Sequence, residues 1–211
     1  MNNRLSIIGS GDLGRLIAYH AQENCGYEVI GYYDDFNSDN LNSDSKPILG
    51  KLDQIENDFQ LGKFDYLMIG IGYKHMNFRE FIFLKFLNKI PFAKIVHPSV
   101  IKEKNVIIGD GSFILPGCVL DQNVIIGKNS LLNTGCIIAH DTEIGNHSFL
   151  SPAVKVAGFS KISEKCIIGI NATIIDNIII SDEIQVGGGA VVTKNLTEKG
   201  LYVGVPAKKI K

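Results

Sequence analysis

The chain of 211 residues contains no run of eighteen apolar residues, so no segment of it reads as a transmembrane helix. Its N-terminus, MNNRLSIIGSG, lacks the long apolar core and cleavage site of a secretory signal peptide. A cytoplasmic protein is the expectation. Charge excess is missing as well: 21 basic residues face 22 acidic ones, a balance that does not suggest a nucleic-acid or polyanion surface. Only four cysteines occur, Cys25, Cys118, Cys136 and Cys166, with no CxxC and no Cys/His cluster at zinc spacing. Neither a disulfide framework nor a metal site is expected. What is plentiful is apolar residues, at 45%, enough for a packed core and against disorder.

Those apolar residues are ordered with unusual regularity in the second half. Stepping by six from Ile108 to Val192 meets fifteen positions, and every one is Ile, Leu or Val. Neither a 3.6-residue nor a two-residue period produces such a pattern, so an ordinary helix or alternating strand is excluded. Four residues further on, the side chain is usually small: Ser112, Cys118, Ser130, Cys136, Thr142, Ser148, Ser160, Cys166, Ala172 and Ala190. Val124, Val154, Ile178 and Ile184 are the exceptions. One large and one small inward residue per hexad suit a narrow triangular prism, with short strands as faces and turns as corners. Three hexads make one coil, so fifteen make five, roughly 25 Å long at the spacing of stacked strands. This is a hexapeptide parallel β-helix. Gly109, Gly127, Gly145, Gly169 and Gly187 recur along it and are expected to supply positive φ at the corners. Cys118, Cys136 and Cys166 fall on the small inward position and read as core residues, not nucleophiles.

The first half has a different grammar. RLSIIGSGDLGRLIAYHAQENCGYEVIGYYDD reads as a strand at 5–9, a glycine turn, a helix at 12–23 and a strand at 28–33 ending at Asp34 and Asp35. Gly9, Gly11 and Gly14 complete G-x-G-x-x-G, with an acid about 20 residues beyond. Such a loop brings backbone close to a diphosphate at a helix N-terminus. FDYLMIGIG at 64–72 is a further buried strand, a helix follows near 74–89, and AKIV at 93–96 ends the sheet. The polar segment 37–46 is a solvent loop. The unit is therefore Rossmann-like α/β over 1–95, followed by the β-helix over 96–211. Three readings of the glycine turn stand side by side: a dinucleotide site of a dehydrogenase, a site for the nucleotide part of a sugar nucleotide, and a turn without ligand. The unit lacks a second mononucleotide half, which speaks against the first.

The motifs GSGDLG, YYDD, AHDTEIGNHSFLSPAVKVAG, GIN at 169–171, VGGGAVV and GVPAKKIK together resemble one family over almost the whole chain. It is the hexapeptide-repeat sugar acetyltransferases, in the group of sialic-acid O-acetyltransferases and bacillosamine-pathway N-acetyltransferases. That resemblance implies a left-handed β-helix, three of which pack around a three-fold axis as a homotrimer with active sites between neighbours. It implies acetyl-CoA as co-substrate, no metal, no nucleic acid and no membrane insertion. The acceptor it implies is a nucleotide-linked 4-amino-4,6-dideoxy sugar (UDP- or dTDP-, less so GDP-) destined for a bacterial surface glycan such as O-antigen. A hydroxyl acceptor of the sialic-acid type and a non-catalytic binding protein remain alternatives.

The resemblance also assigns residues. His140 becomes the general base and Asp141 the acid that tunes it; a group titrating near neutrality is suited to take the proton of an attacking amine. His147, Gly158, Ile170, Gly188, Pro206 and Lys208 would meet the cofactor. Gly9, Gly11, Asp12, Leu13, Gly14, Asp34, Asp35 and Gly72 would meet the nucleotide sugar. Two departures stand out. The turn GSGDLG lacks the histidine of the G-x-G-G-H turn many relatives have, so its contact with the diphosphate differs. Asp141 stands where relatives often have Glu, which implies a longer or water-bridged contact to His140.

Overall fold

The computed structural model describes residues 3–37 and 41–211; part of the 37–46 loop (38–40) lies outside them. The chain divides into two compact units, 1–95 and 96–211.

The first unit runs β1 (Arg4–Ile8), α1 (Asp12–Cys25), β2 (Glu28–Tyr33), β3 (Ile48–Gly50), α2 (Ile55–Gln60), β4 (Tyr66–Ile69), a 3-10 turn (Tyr73–His75) and α3 (Met76–Phe86). Its sheet is parallel in the order β3-β2-β1-β4. The strands read as near-continuous apolar runs because a parallel sheet is buried on both faces. Ile17, Ala18 and Ala21 of α1 and Ile82, Phe83 and Phe86 of α3 are buried in the core. The strand order reverses at β1, with β2 on one side and β4 on the other. In open α/β sheets, such a switch point leaves a crevice beyond the carboxyl ends of the strands.

Several expectations need correction. β3 and α2 carry too little periodicity to be seen in the sequence. The helix expected near 74–89 is a 3-10 turn and a shorter α-helix, ended before Asn88, which has φ 66°. Gly9, with φ 94°, lies outside β1. Residues 93–96 do not close the α/β sheet as expected. Its edge is a bridge between Leu67 and Phe92, whereas Ile95–Val96 opens a sheet of the prism.

The second unit is a left-handed β-helix of three ladders, with five, eight and six strands. The coil strands up to Val192 span two residues each and stack at an eighteen-residue offset: Ile126 with Ile144, Leu132 with Leu150, Ile138 with Val156. From Ile114 to Val192 every sixth-residue aliphatic is buried, and so is every residue four positions after it. The small inward residues also do a chemical job. Ser112, Ser130 and Ser148 donate to the carbonyls of Gly127, Gly145 and Ser163 at 2.7 to 2.9 Å, fifteen residues further on. Cys136 and Cys166 donate through Sγ to Ser151 and Ser181 at 3.3 and 3.1 Å. A hydroxyl or thiol there satisfies a corner carbonyl that would otherwise be buried without a donor.

The corners are not where the glycines suggested. Positive φ recurs at every sixth residue from Gly111 to Gly189, through Asn123, Asp141, His147 and Phe159 among others. Gly109, Gly127 and Gly145 have ordinary φ. A Cβ on any of them would lie 2.5 to 2.6 Å from backbone of the next coil. Gly169 would meet Gly188 N at 2.5 Å and Gly187 the Val203 side chain at 2.7 Å. These glycines permit coil stacking, not turning.

Candidate functional site

His140 and Asp141 lie at one corner column of the prism. Asp141 takes the left-handed conformation (φ 55°) that Asx residues tolerate best. That bend folds its carboxylate back onto the preceding imidazole, and His140 Nδ1 lies 3.0 Å from Asp141 Oδ2. The contact is therefore direct, despite the shorter side chain. The other oxygen, Oδ1, accepts a hydrogen bond from Asn123 Nδ2 at 2.8 Å, and Asn123 in turn accepts one from Asn105. Hydrogen bonds from Asn123, then from His140, hold the Asp141 carboxyl below its ordinary range. An ionised acceptor places the imidazole proton on Nδ1 and leaves the lone pair on Nε2; the His140 side chain is 39% exposed. This pair can accept a proton from an incoming nucleophile.

The coil above completes the setting. Gly158 lies directly against the imidazole: a Cβ there would be 2.7 Å from His140 Cε1 and 2.9 Å from Nε2. Beside it, the Phe159 ring meets the imidazole edge to face, with centroids 5.0 Å apart and planes at 83°. Sequence reasoning missed Phe159, Asn123 and Asn105; the eighteen-residue column joining the last two to Asp141 was the available signal.

The other expected prism residues fall elsewhere. His147 belongs to the corner column of Asn129 and Lys165, is 5% exposed, and has Nδ1 2.9 Å from Asn129 Nδ2. Ile170 and Gly188 meet on the third column, where a Gly188 Cβ would be 3.0 Å from Ile170 Cγ2. Pro206 follows a cis peptide bond, next to Ala207, whose N–H donates to Val191. Lys208 lies in the short antiparallel pair with Val203. His140, His147 and Ile170 thus stand on three different edges of one prism.

In the first unit, a cleft of about 490 Å³ opens beyond the carboxyl ends of β1, β2 and β4. Of the expected residues, Gly9, Gly11, Asp34, Asp35 and Gly72 line it. Phe36, His75 and Phe78 line it too and carried no sequence signal. Asp12 and Leu13 are not among the lining residues. Gly14 serves packing: its Cβ would lie 2.0 Å from Gly9 O, and a Gly70 Cβ 2.5 Å from Gly14 Cα. Asp34 is occupied by its own chain. One oxygen accepts from Ser10 N–H and Oγ–H at 2.8 and 2.7 Å, the other from Phe36 and Asn37 N–H at 2.9 and 3.2 Å. Burial alone would raise its pKa, but these hydrogen bonds outweigh it and hold the group below the carboxylate range. Asp34 therefore clamps the glycine turn to the end of β2. Asp35 is exposed, accepting from Leu52 N–H at 3.0 Å. Gly11 caps α1 without any side-chain acceptor, so the first N–H groups of that helix stay available to an anion.

An α/β unit with a crevice at its switch point, followed by a hexapeptide prism with an edge His-Asp pair, defines the architecture of prism-type acyltransferases. Residues 4–84 match the PglD N-terminal domain. Among solved structures it is similar to a variant of GDP-perosamine N-acetyltransferase from Caulobacter crescentus in complex with CoA and GDP-perosamine. That match has 25% identity and a TM-score of 0.91, and covers 98% of this chain and 96% of that one. The acetyltransferase domain of PglB from Neisseria gonorrhoeae shares the fold, with 24% identity, a TM-score of 0.89 and coverage of 99% and 100%. A curated relative, UDP-3-O-acylglucosamine N-acyltransferase from Bordetella pertussis, is 36% identical over 52 residues, which is 25% of this chain and 14% of that protein.

Proposed function

We propose that the protein is an acetyl-CoA-dependent N-acetyltransferase whose acceptor is the amino group of a nucleotide-linked 4-amino-4,6-dideoxy sugar. The observation that carries this is the His140–Asp141 pair: a partly exposed imidazole at a prism edge with Nδ1 tied to a carboxylate. The acceptor amine attacks the thioester carbonyl carbon while Nε2 takes its proton. The tetrahedral adduct then collapses, the C–S bond breaks, and the imidazolium returns the proton to the departing thiolate. The nucleophile is the substrate's own nitrogen, so no enzyme Ser or Cys is required, in keeping with the burial of Cys118, Cys136 and Cys166. The likeness to an N-acetyltransferase solved with CoA and a GDP-linked sugar supports both ligands.

The first unit takes the nucleotide. Its cleft is of the size ligand sites commonly have. The uncapped N-terminus of α1 at Gly11 favours a diphosphate, with Asp35 in the role expected of an acid on the ribose. The prism takes acetyl-CoA along its glycine-rich column at Ile170 and Gly188. Because the candidate residues stand on separate edges, a complete site requires a second prism edge, and one ladder offers exposed Ile107, Ile125 and Ile179 for it, with the Glu143–Lys161 ion pair between the last two. A homotrimer follows, checked by sedimentation; a monomer at micromolar concentration overturns the shared site.

The deciding experiment is thiol release from acetyl-CoA against UDP-, dTDP- and GDP-linked 4-amino sugars, with sialic acid included. Release with one amino sugar establishes N-acetyl transfer and names the nucleotide. Release with sialic acid alone moves the protein to O-acetylation, and no release overturns the acceptor assignment.

A further inference from the structure

We infer that Phe159 is a positioning residue, which sets the plane of the His140 imidazole from the coil above while Asp141 sets it from the side. This rests on the reading of His140 as the base.

Three observations meet at this ring. Its position is one of the recurrent left-handed corners (φ 56°), where the same column carries Asn123, Asp141 and Asn177. Asx side chains adopt that conformation readily, whereas a bulky aromatic does so at a cost. Phe159 nevertheless occupies it. The cost is not recovered by burial, since the residue is 60% exposed. What the ring does touch is His140, edge to face at 5.0 Å and 83°, a geometry aromatic pairs favour. Its backbone is tied to the same residue, Phe159 N–H donating to His140 O at 3.2 Å. The residue before it, Gly158, has no side chain, and any Cβ there would enter the imidazole. The upper coil thus has a gap shaped for the ring and a wall beside it. An imidazole tied only through Nδ1 could still rotate about that hydrogen bond and swing Nε2 off the line of the attacking amine. The phenyl wall removes that freedom. Strain kept at an exposed position beside a candidate base is the pattern expected where local stability is exchanged for preorganisation.

The test is Phe159→Asn, which installs the residue preferred at this corner. The expected result is a melting temperature equal to or above that of the parent protein, kcat lower by about tenfold, and an unchanged KM for acetyl-CoA. Phe159→Tyr is expected to restore kcat, and Phe159→Leu to behave like Phe159→Asn. A second readout does not depend on knowing the acceptor. In the NMR spectrum of the full-length protein, the His140 Hε1 resonance, assigned through His140→Gln, is expected to carry a ring-current shift that is lost in Phe159→Asn and kept in Phe159→Tyr. Parental kcat in Phe159→Asn, or a His140 resonance that does not move, overturns the inference. If no acceptor supports turnover in the parent protein but the resonance moves as expected, the contact stands and the assigned reaction falls, and the positioning role falls with it.

Discussion

The Asp141 carboxylate is shared between two coils: Oδ2 lies 3.0 Å from His140 Nδ1 and Oδ1 accepts from Asn123 Nδ2 at 2.8 Å. Asn123 therefore supports the histidine without touching it. Asn123→Ala is expected to lower kcat by about tenfold, the low end of losses for residues that orient a functional ligand through a partner, with the fold intact by circular dichroism. Asn123→Asp is expected to be worse, because a second carboxylate would face Asp141. Equal activities in the two variants would show that Asn123 serves only the stacking of the coils.

Gly158 lies where a side chain cannot coexist with the present imidazole position. Gly158→Ala places a methyl 2.7 Å from His140 Cε1, so the ring must turn aside. A displacement of that order is expected to cost about a hundredfold in kcat, while the melting temperature changes little because the backbone conformation is ordinary. Steady-state kinetics beside thermal unfolding separate the two effects.

The two kinds of prism glycine make opposite predictions. Gly145→Ala drives a methyl to 2.5 Å from Ser163 backbone and is expected to destabilise by about 1–3 kcal/mol. Gly135 has φ 73° and open space around its missing Cβ, so Gly135→Asn is expected to stay within about 0.5 kcal/mol of the parent. Denaturant unfolding of both variants checks the assignment of corner and stacking positions.

Asp34 and Asp35 adjoin in sequence and differ in task. Asp34→Ala removes four hydrogen bonds that hold the glycine turn and is expected to lower the melting temperature as well as nucleotide affinity. Asp35→Ala, which removes the single bond from Leu52 N–H, is expected to lower the melting temperature less than Asp34→Ala and to weaken binding. Calorimetric titration with UDP, dTDP and GDP, set beside thermal unfolding, gives the comparison.

Stability in acid has an identifiable source on the corner column of His147 and Lys165. Lys165 and Lys199 hold the Glu183 carboxyl down to about 2. A carboxyl whose pKa is lower folded than unfolded adds stability that is full above the unfolded value, about 4.3, and is lost as pH falls through the folded one. Glu183→Gln is expected to reduce stability near neutrality slightly, because exposed pairs contribute little. It is also expected to flatten the decline between about pH 4 and pH 2. Melting temperatures across that range are the measurement.

The sequence by itself determined the prism. A hexad alternation of large and small inward residues is a local property, repeated until no other period accounts for it, and it places Ile138, His140 and Asp141 in order along one edge. The glycine turn after β1 was legible for the same reason, since G-x-G-x-x-G needs only its neighbours to be read. Tertiary structure decided what each glycine and each acid is for. Whether a glycine turns the chain or admits the next coil depends on backbone eighteen residues away, which is why Gly109, Gly127 and Gly145 proved to be stacking positions. Whether an acid faces a ligand or its own chain depends on which N–H groups the fold brings to it, and four come to Asp34. Gly158 and Phe159 belong to the same class, because their relation to His140 exists only once one coil is laid upon another.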